Sequence, residues 1–196
     1  GVSIAVLTLD SEPTRQKTEG RPTIATSLVI RLVLDRADST EAAVNLIRGY
    51  AMLATSGRDY HFFITDASGD SRVVENDCDS SDRAMTVTRV EATTNFYAMH
   101  EDRVLPHQRN GRYGHGRERY DSVMDVIERT RGSATPEDAW EALRVSSQLP
   151  DPEDITSNTQ WSIVYSNTDL AAKASIRLHW EDRFGCDLRT GDVSKL

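Results

Sequence analysis

Tyr60-His-Phe-Phe-Ile-Thr-Asp-Ala-Ser-Gly-Asp-Ser-Arg-Val-Val-Glu75 is the stretch on which the fold turns. His61 to Asp66 and Ser71 to Glu75 are rich in aromatic and β-branched residues, and Ser68-Gly69-Asp70 supplies turn residues between them. The segment is predicted to be a β-hairpin. Downstream, Met85-Thr-Val-Thr-Arg-Val90 alternates in the same way and ends at Glu91-Ala-Thr-Thr-Asn95. Upstream, Val2 to Leu9 is a further strand, bounded by Asp10-Ser-Glu-Pro13. A strand that opens at the first residue is expected to lie inside a larger protein.

Helical periodicity fills the intervals. Leu28, Arg31, Leu32 and Asp35 share one face, while Val29, Ile30, Val33 and Leu34 occupy the rest, so this helix is expected to be largely buried. Asp38-Ser-Thr-Glu41 has capping-box spacing, with Asp38 as the expected N-cap. Ala43, Leu46, Ile47 and Tyr50 follow as a stripe, with Gly49 and Gly57 bracketing its end. Tyr120, Val123, Met124 and Ile127 repeat that spacing, and Thr135-Pro136-Glu137-Asp138 opens another helix. Gln160 to Tyr165 and Ser175 to Trp180 flank Ser-Asn-Thr-Asp169. They are expected to form a long hairpin that buries Trp161, Ile163, Tyr165, Ile176, Leu178 and Trp180. Antiparallel strands separated by helix pairs, without βαβ alternation, predict a layered α+β fold in one domain, residues 1–196.

The composition narrows the function without naming it. A net charge of -8 over 196 residues opposes nucleic acid as the main partner. The longest apolar run, Ser27 to Leu34, is interrupted by Arg31 and falls far short of the roughly 18 residues a bilayer span needs. Cys78 and Cys186 stand among acidic neighbours, outside any CxxC or His-rich setting, so no zinc site is expected. They are expected to be reduced thiols of a cytoplasmic protein, with a disulfide left open. The run Asp77 to Asp82 lacks the twelve-residue calcium-loop pattern and is expected to be a solvated connection. His61 and His179 fall in strands, whereas His107 and His115 fall in a loop that also carries Arg103, Arg109, Arg112, Arg117 and Arg119. A surface role is expected for that loop. Nucleophile-elbow, phosphate-loop and HExxH motifs are absent from the sequence.

A resemblance adds what spacing leaves open. The opening hairpin, a strand ending in Asp66-Ala-Ser-Gly69 and returning through Val73-Val-Glu75, resembles that of choloylglycine hydrolases and their bile salt hydrolase and penicillin acylase relatives. Val90-Glu-Ala-Thr-Thr-Asn-Phe96 stands where the family has a Leu-Thr-Asn motif. Glu118-Arg119-Tyr120 is similar to its helix-opening Arg-aromatic pair, and Thr159-Gln-Trp-Ser-Ile-Val-Tyr165 to its C-terminal hairpin. Gly1-Val-Ser-Ile-Ala-Val-Leu-Thr8 is similar to the strand after the family's Asn-Glu-x-Gly turn.

The resemblance implies an N-terminal-nucleophile hydrolase, an αββα sandwich of antiparallel sheets between helix layers, here incomplete at the N-terminus. The implied activity is hydrolysis of linear amides, such as conjugated bile acids or other N-acyl amides, by an N-terminal cysteine using its own α-amino group as base. Asn95 corresponds to an active-centre hydrogen-bond donor. Arg119, or Arg117 by a two-residue shift, corresponds to the arginine beside the nucleophile, and Thr8 stands where bile salt hydrolases carry a second oxyanion-hole Asn. Gly1 is no nucleophile and neither cysteine lies at its place, so the 196-residue chain is expected to be inactive. No metal or organic cofactor is implied, the expected partner is a small N-acyl amide, and homo-oligomers are expected. Two alternatives stand beside this reading: a non-catalytic domain using the arginine loop as a binding surface, and an acyltransferase of the penicillin acyltransferase type.

Overall fold

The computed structural model describes residues 1–154 and 158–196. They form two compact units, Gly1–Glu118 and Arg119–Leu196.

The first unit contains β1 (Val2–Leu9), β2 (Thr23–Ala25), α1 (Thr26–Arg36), α2 (Thr40–Arg48), β3 (Ala51–Leu53), β4 (Asp59–Asp66), β5 (Ser71–Asn76) and β6 (Met85–Arg89). A 3-10 helix follows at Ala98–Arg103. The predicted hairpin is β4–β5, and the antiparallel sheet runs β1-β4-β5-β6. Phe62, Ile64 and Val74 pack with Val29 and Val33 of α1 and with Ala43, Val44 and Ile47 of α2. On the opposite pleat, His61, Val73 and Glu75 are also fully buried. β2 and β3 form a short parallel pair, too brief for period-two alternation to reveal.

Two expectations about the helices need correction. α1 buries only Thr26, Val29 and Val33, and Leu28 is 59% exposed. Apolar residues surround this helix in sequence, yet it covers the sheet with one stripe only. The N-cap of α2 is Ser39, whose hydroxyl accepts from the Ala42 amide at 3.2 Å, rather than Asp38. The next orphan amide, Thr40 N–H, donates to Asp66 Oδ2 at 2.8 Å. A carboxylate 26 positions away at the end of β4 thus completes the cap, which local spacing cannot show.

α3 (Arg117–Thr130) begins at the boundary between the units. The second unit then holds α4 (Pro136–Val145), β7 (Trp161–Ser166), β8 (Ala171–Ile176), β9 (Arg183–Asp187) and β10 (Val193–Lys195), whose strands form an antiparallel meander. Asp138 Oδ2 closes the start of α4 by accepting from Thr135 N–H at 2.7 Å. Buried Trp140 carries the Arg183 guanidinium 4.4 Å above its ring, and Arg183 in turn makes a fork of 2.7 and 3.0 Å to Glu137.

The C-terminal hairpin differs from expectation. Ser166 Oγ accepts from the Asp169 amide, so the chain turns tightly and returns as Ala171–Ile176, not Ser175–Trp180. The buried residues are small, Ser162, Ala172 and Ser175, while Trp161 and Ile176 are 65% and 53% exposed. Ala-Ala-Lys-Ala has weak strand propensity, and the aromatic run beyond it carries the stronger strand signal. Among the described residues, no helix is long and apolar enough to cross a membrane.

Candidate functional site

Leu9 ends β1 as a fully buried residue, which fixes Thr8 opposite Tyr60 on β4. The segment after β6 then passes the end of β1. There Asn95 Nδ2 donates to the Thr8 carbonyl at 3.0 Å and lies 3.4 Å from Thr8 Oγ1. Residues 87 positions apart, singled out for one site, are therefore in contact.

The arginine-rich loop packs on the same segment. His115 N–H donates to Asn95 O at 2.9 Å, Tyr97 N–H to Tyr113 O at 2.9 Å, and Thr94 Oγ1 to Gly116 O at 2.9 Å. Gly114 makes this approach possible. A Cβ there would stand 2.2 Å from Asn95 O and 2.4 Å from Phe96 Cα, and its φ of +104° excludes ordinary side chains. Asn95 is thus held at its side chain by β1 and at its carbonyl by the loop.

The structure adds neighbours that the sequence did not single out. His115, expected at the surface, has Nδ1 2.6 Å from Asp10 Oδ2, immediately beyond β1. Below this pair, Asp59 is wholly buried and accepts from Tyr97 Oη at 2.7 Å, Arg83 Nη2 at 2.8 Å and Thr14 N–H at 3.2 Å. Burial and the adjacent Asp59 charge push the Tyr97 phenol well above its ordinary range, so it stays a neutral donor. His61 and Glu75 form a second buried pair at 3.4 Å, and Glu75 also accepts from the amides of Ala98 and Met99. These partners lie 14 to 105 positions apart, and no motif spacing signals them.

Arg117 Nη1 donates to Glu101 O at 3.0 Å and lies 3.5 Å from Glu101 Oε1, which ties it to the 3-10 helix. Arg119 is a half-buried residue in the first turn of α3 and belongs to the second unit. Cys78 and Cys186 form no disulfide. Burial, with Asp79 beside it, pushes the Cys78 thiol up to about 11, the reverse of what a nucleophilic thiolate needs. One group of potential metal donors stands out in this unit: Asp77, Cys78 and His100 place their ligand atoms within 4.8 Å of one another.

No protein-family model and no curated protein matches the chain. Solved structures do. Two variants of conjugated bile acid hydrolase from Clostridium perfringens align with all of this chain and 74% of theirs, at a TM-score of 0.73 and 12% identity. Penicillin V acylase from Agrobacterium tumefaciens aligns with all of this chain and 68% of its own, at a TM-score of 0.69 and 20% identity. At these identities the likeness shows a shared fold.

Proposed function

We propose that this chain is the larger part of a hydrolase of linear, non-peptide amide bonds, whose cysteine nucleophile is not among these 196 residues. The observation that carries the reading is the contact between Asn95 and Thr8, two positions implied for one active centre, in a chain with the fold of two amide hydrolases. The hydrogen bond from the Asn95 side-chain amide to the Thr8 carbonyl holds that amide in orientation, as a donor to a developing oxyanion must be. Thr8, whose hydroxyl lies beside it, lines the same place. Arg119, or Arg117 by a two-residue shift, is the proposed cation beside the nucleophile.

The chemistry follows from these roles. The cysteine sulfur attacks the amide carbon while its own α-amino group accepts the thiol proton. That proton passes to the departing amine, and water then cleaves the thioester. The substrate is an N-acyl amide such as a conjugated bile acid, and an acyltransferase would use the same site with an amine in place of water. The proposal includes the αββα sandwich of a single domain, completed by residues outside this chain, in a cytoplasmic homo-oligomer. The rival reading, a binding domain using the arginine loop, is disfavoured because Asp79 already engages Arg103 at 3.2 Å and Arg112 at 2.5 Å.

The test compares the 196-residue chain with the product of its whole gene, using glycine-conjugated bile acids and penicillin V and measuring released amine or acid. Turnover is expected only from the whole product, with kcat lowered roughly 10²–10³-fold by Asn95→Ala. Turnover by the 196-residue chain, or a mature whole product without N-terminal cysteine, would overturn the reading.

A further inference from the structure

The connection from β5 to β6 carries Asp77 and Cys78, and the 3-10 helix Ala98–Arg103 packs near it through His100. That helix is not regular. His100 has φ −121° and ψ 23°, a break in the middle of its element. Its ring is set against Tyr113 at 4.6 Å and edge-on to Tyr97 at 6.1 Å, and the residue is 8% exposed. In this position Nε2 is buried without a hydrogen-bond partner. Such a group costs free energy, and its presence calls for a physical reason.

The neighbours of Nε2 supply one. Asp77 Oδ1 lies 3.5 Å away and Asp79 Oδ2 3.8 Å away, both too far for a sound hydrogen bond. Two ligands each about 2.1 Å from a tetrahedral ion stand about 3.4 Å apart, which is close to the Asp77–His100 separation. Cys78 Sγ completes a group of three donors within 4.8 Å, a spread that small side-chain rotations bring to bonding distance.

We propose that Asp77, Cys78 and His100 bind a divalent transition-metal ion of the zinc class. Nitrogen, sulfur and oxygen in one site favour a borderline-soft ion and disfavour calcium and magnesium, which take oxygen ligands. Arg83, Arg103 and Arg112 surround the site and oppose a cation, but Asp59 engages Arg83, and Asp79 engages the other two. Asp79 therefore stays with its arginines, and water takes the fourth position. On binding, the Cys78 S–H bond breaks, a sulfur–metal bond forms and the proton leaves to solvent. The ion would clip the β5–β6 connection to the helix three residues beyond Tyr97. This is a different place from the Asn95–Thr8 contact, and its test is independent of amide hydrolysis.

Cobalt(II) is the probe, added alone to the reduced, metal-stripped 196-residue chain. The expected result is one cobalt per chain with a thiolate-to-cobalt charge-transfer absorption, abolished by stoichiometric zinc. Cys78→Ser should eliminate the band with circular dichroism unchanged, and Cys186→Ser should leave it intact. Asp77→Asn, which keeps the side-chain oxygen that accepts from the Asp79 amide, should weaken cobalt binding while the chain still folds. The absence of the band from the wild-type chain, or its survival in Cys78→Ser, would overturn the proposal.

Discussion

Replacing Asp59 by alanine removes an acceptor shared by Tyr97, Arg83 and the Thr14 amide, all in the interior of the first unit. The Arg83 guanidinium would lose its buried partner. Removing one member of such a pair costs about 3–5 kcal/mol, and urea unfolding followed by tryptophan-independent far-ultraviolet dichroism should show a loss of that size. Gly114→Ala acts differently, by collision. A methyl at 2.2 Å from Asn95 O, on a backbone of positive φ, forces the loop and Asn95 apart. A loss of at least about 2 kcal/mol is expected from overpacking of this kind, measured by the same unfolding curve. Residues of this sort were only partly legible. Asn95 and Thr8 are legible through the resemblance, whereas Asp59 and the Asp10–His115 pair are not, because their partners lie in connecting segments that only the folded chain brings together.

At the scale of elements, α2 shows how local and tertiary signals divide the work. Ser39→Ala should cost about 1 kcal/mol, the ordinary value of an N-cap, by thermal or urea unfolding. The Asp66 contribution depends on pH. Burial raises its pKa, but hydrogen bonds from Ser68 and Thr40 outweigh that and hold the carboxyl well below the usual range. A depressed native pKa stabilises the fold fully above about pH 4, the ordinary aspartate value, and that support is lost as pH falls toward the native value. Acid titration of stability should therefore be shallower in Asp66→Asn than in the wild type. The β4–β5 hairpin and α4 were legible because their turn and capping residues are consecutive. β8 was not, since a run of alanines becomes a strand here only through the pairing of Ser162 with Ser175 and its neighbours.

Across the whole molecule, the α+β class was legible from element order, and the fold shared with conjugated bile acid hydrolase and penicillin V acylase agrees with it. The division into two compact units was not, because no linker composition marks residue 118. β1 pairs with β4 between residues 50 to 64 positions apart, from Leu9–Asp59 to Val2–Asp66, while β4, β5 and β6 are joined by short connections. Closing the longer loop costs more chain entropy, and non-local pairing slows folding. Pulse-labelling hydrogen exchange during refolding should find amides of β5 and β6 protected before those of β1. Simultaneous protection would contradict this order. The first strand in the sequence would then be the last to join its sheet, and synthesis from the N-terminus would leave it waiting for β4 to emerge.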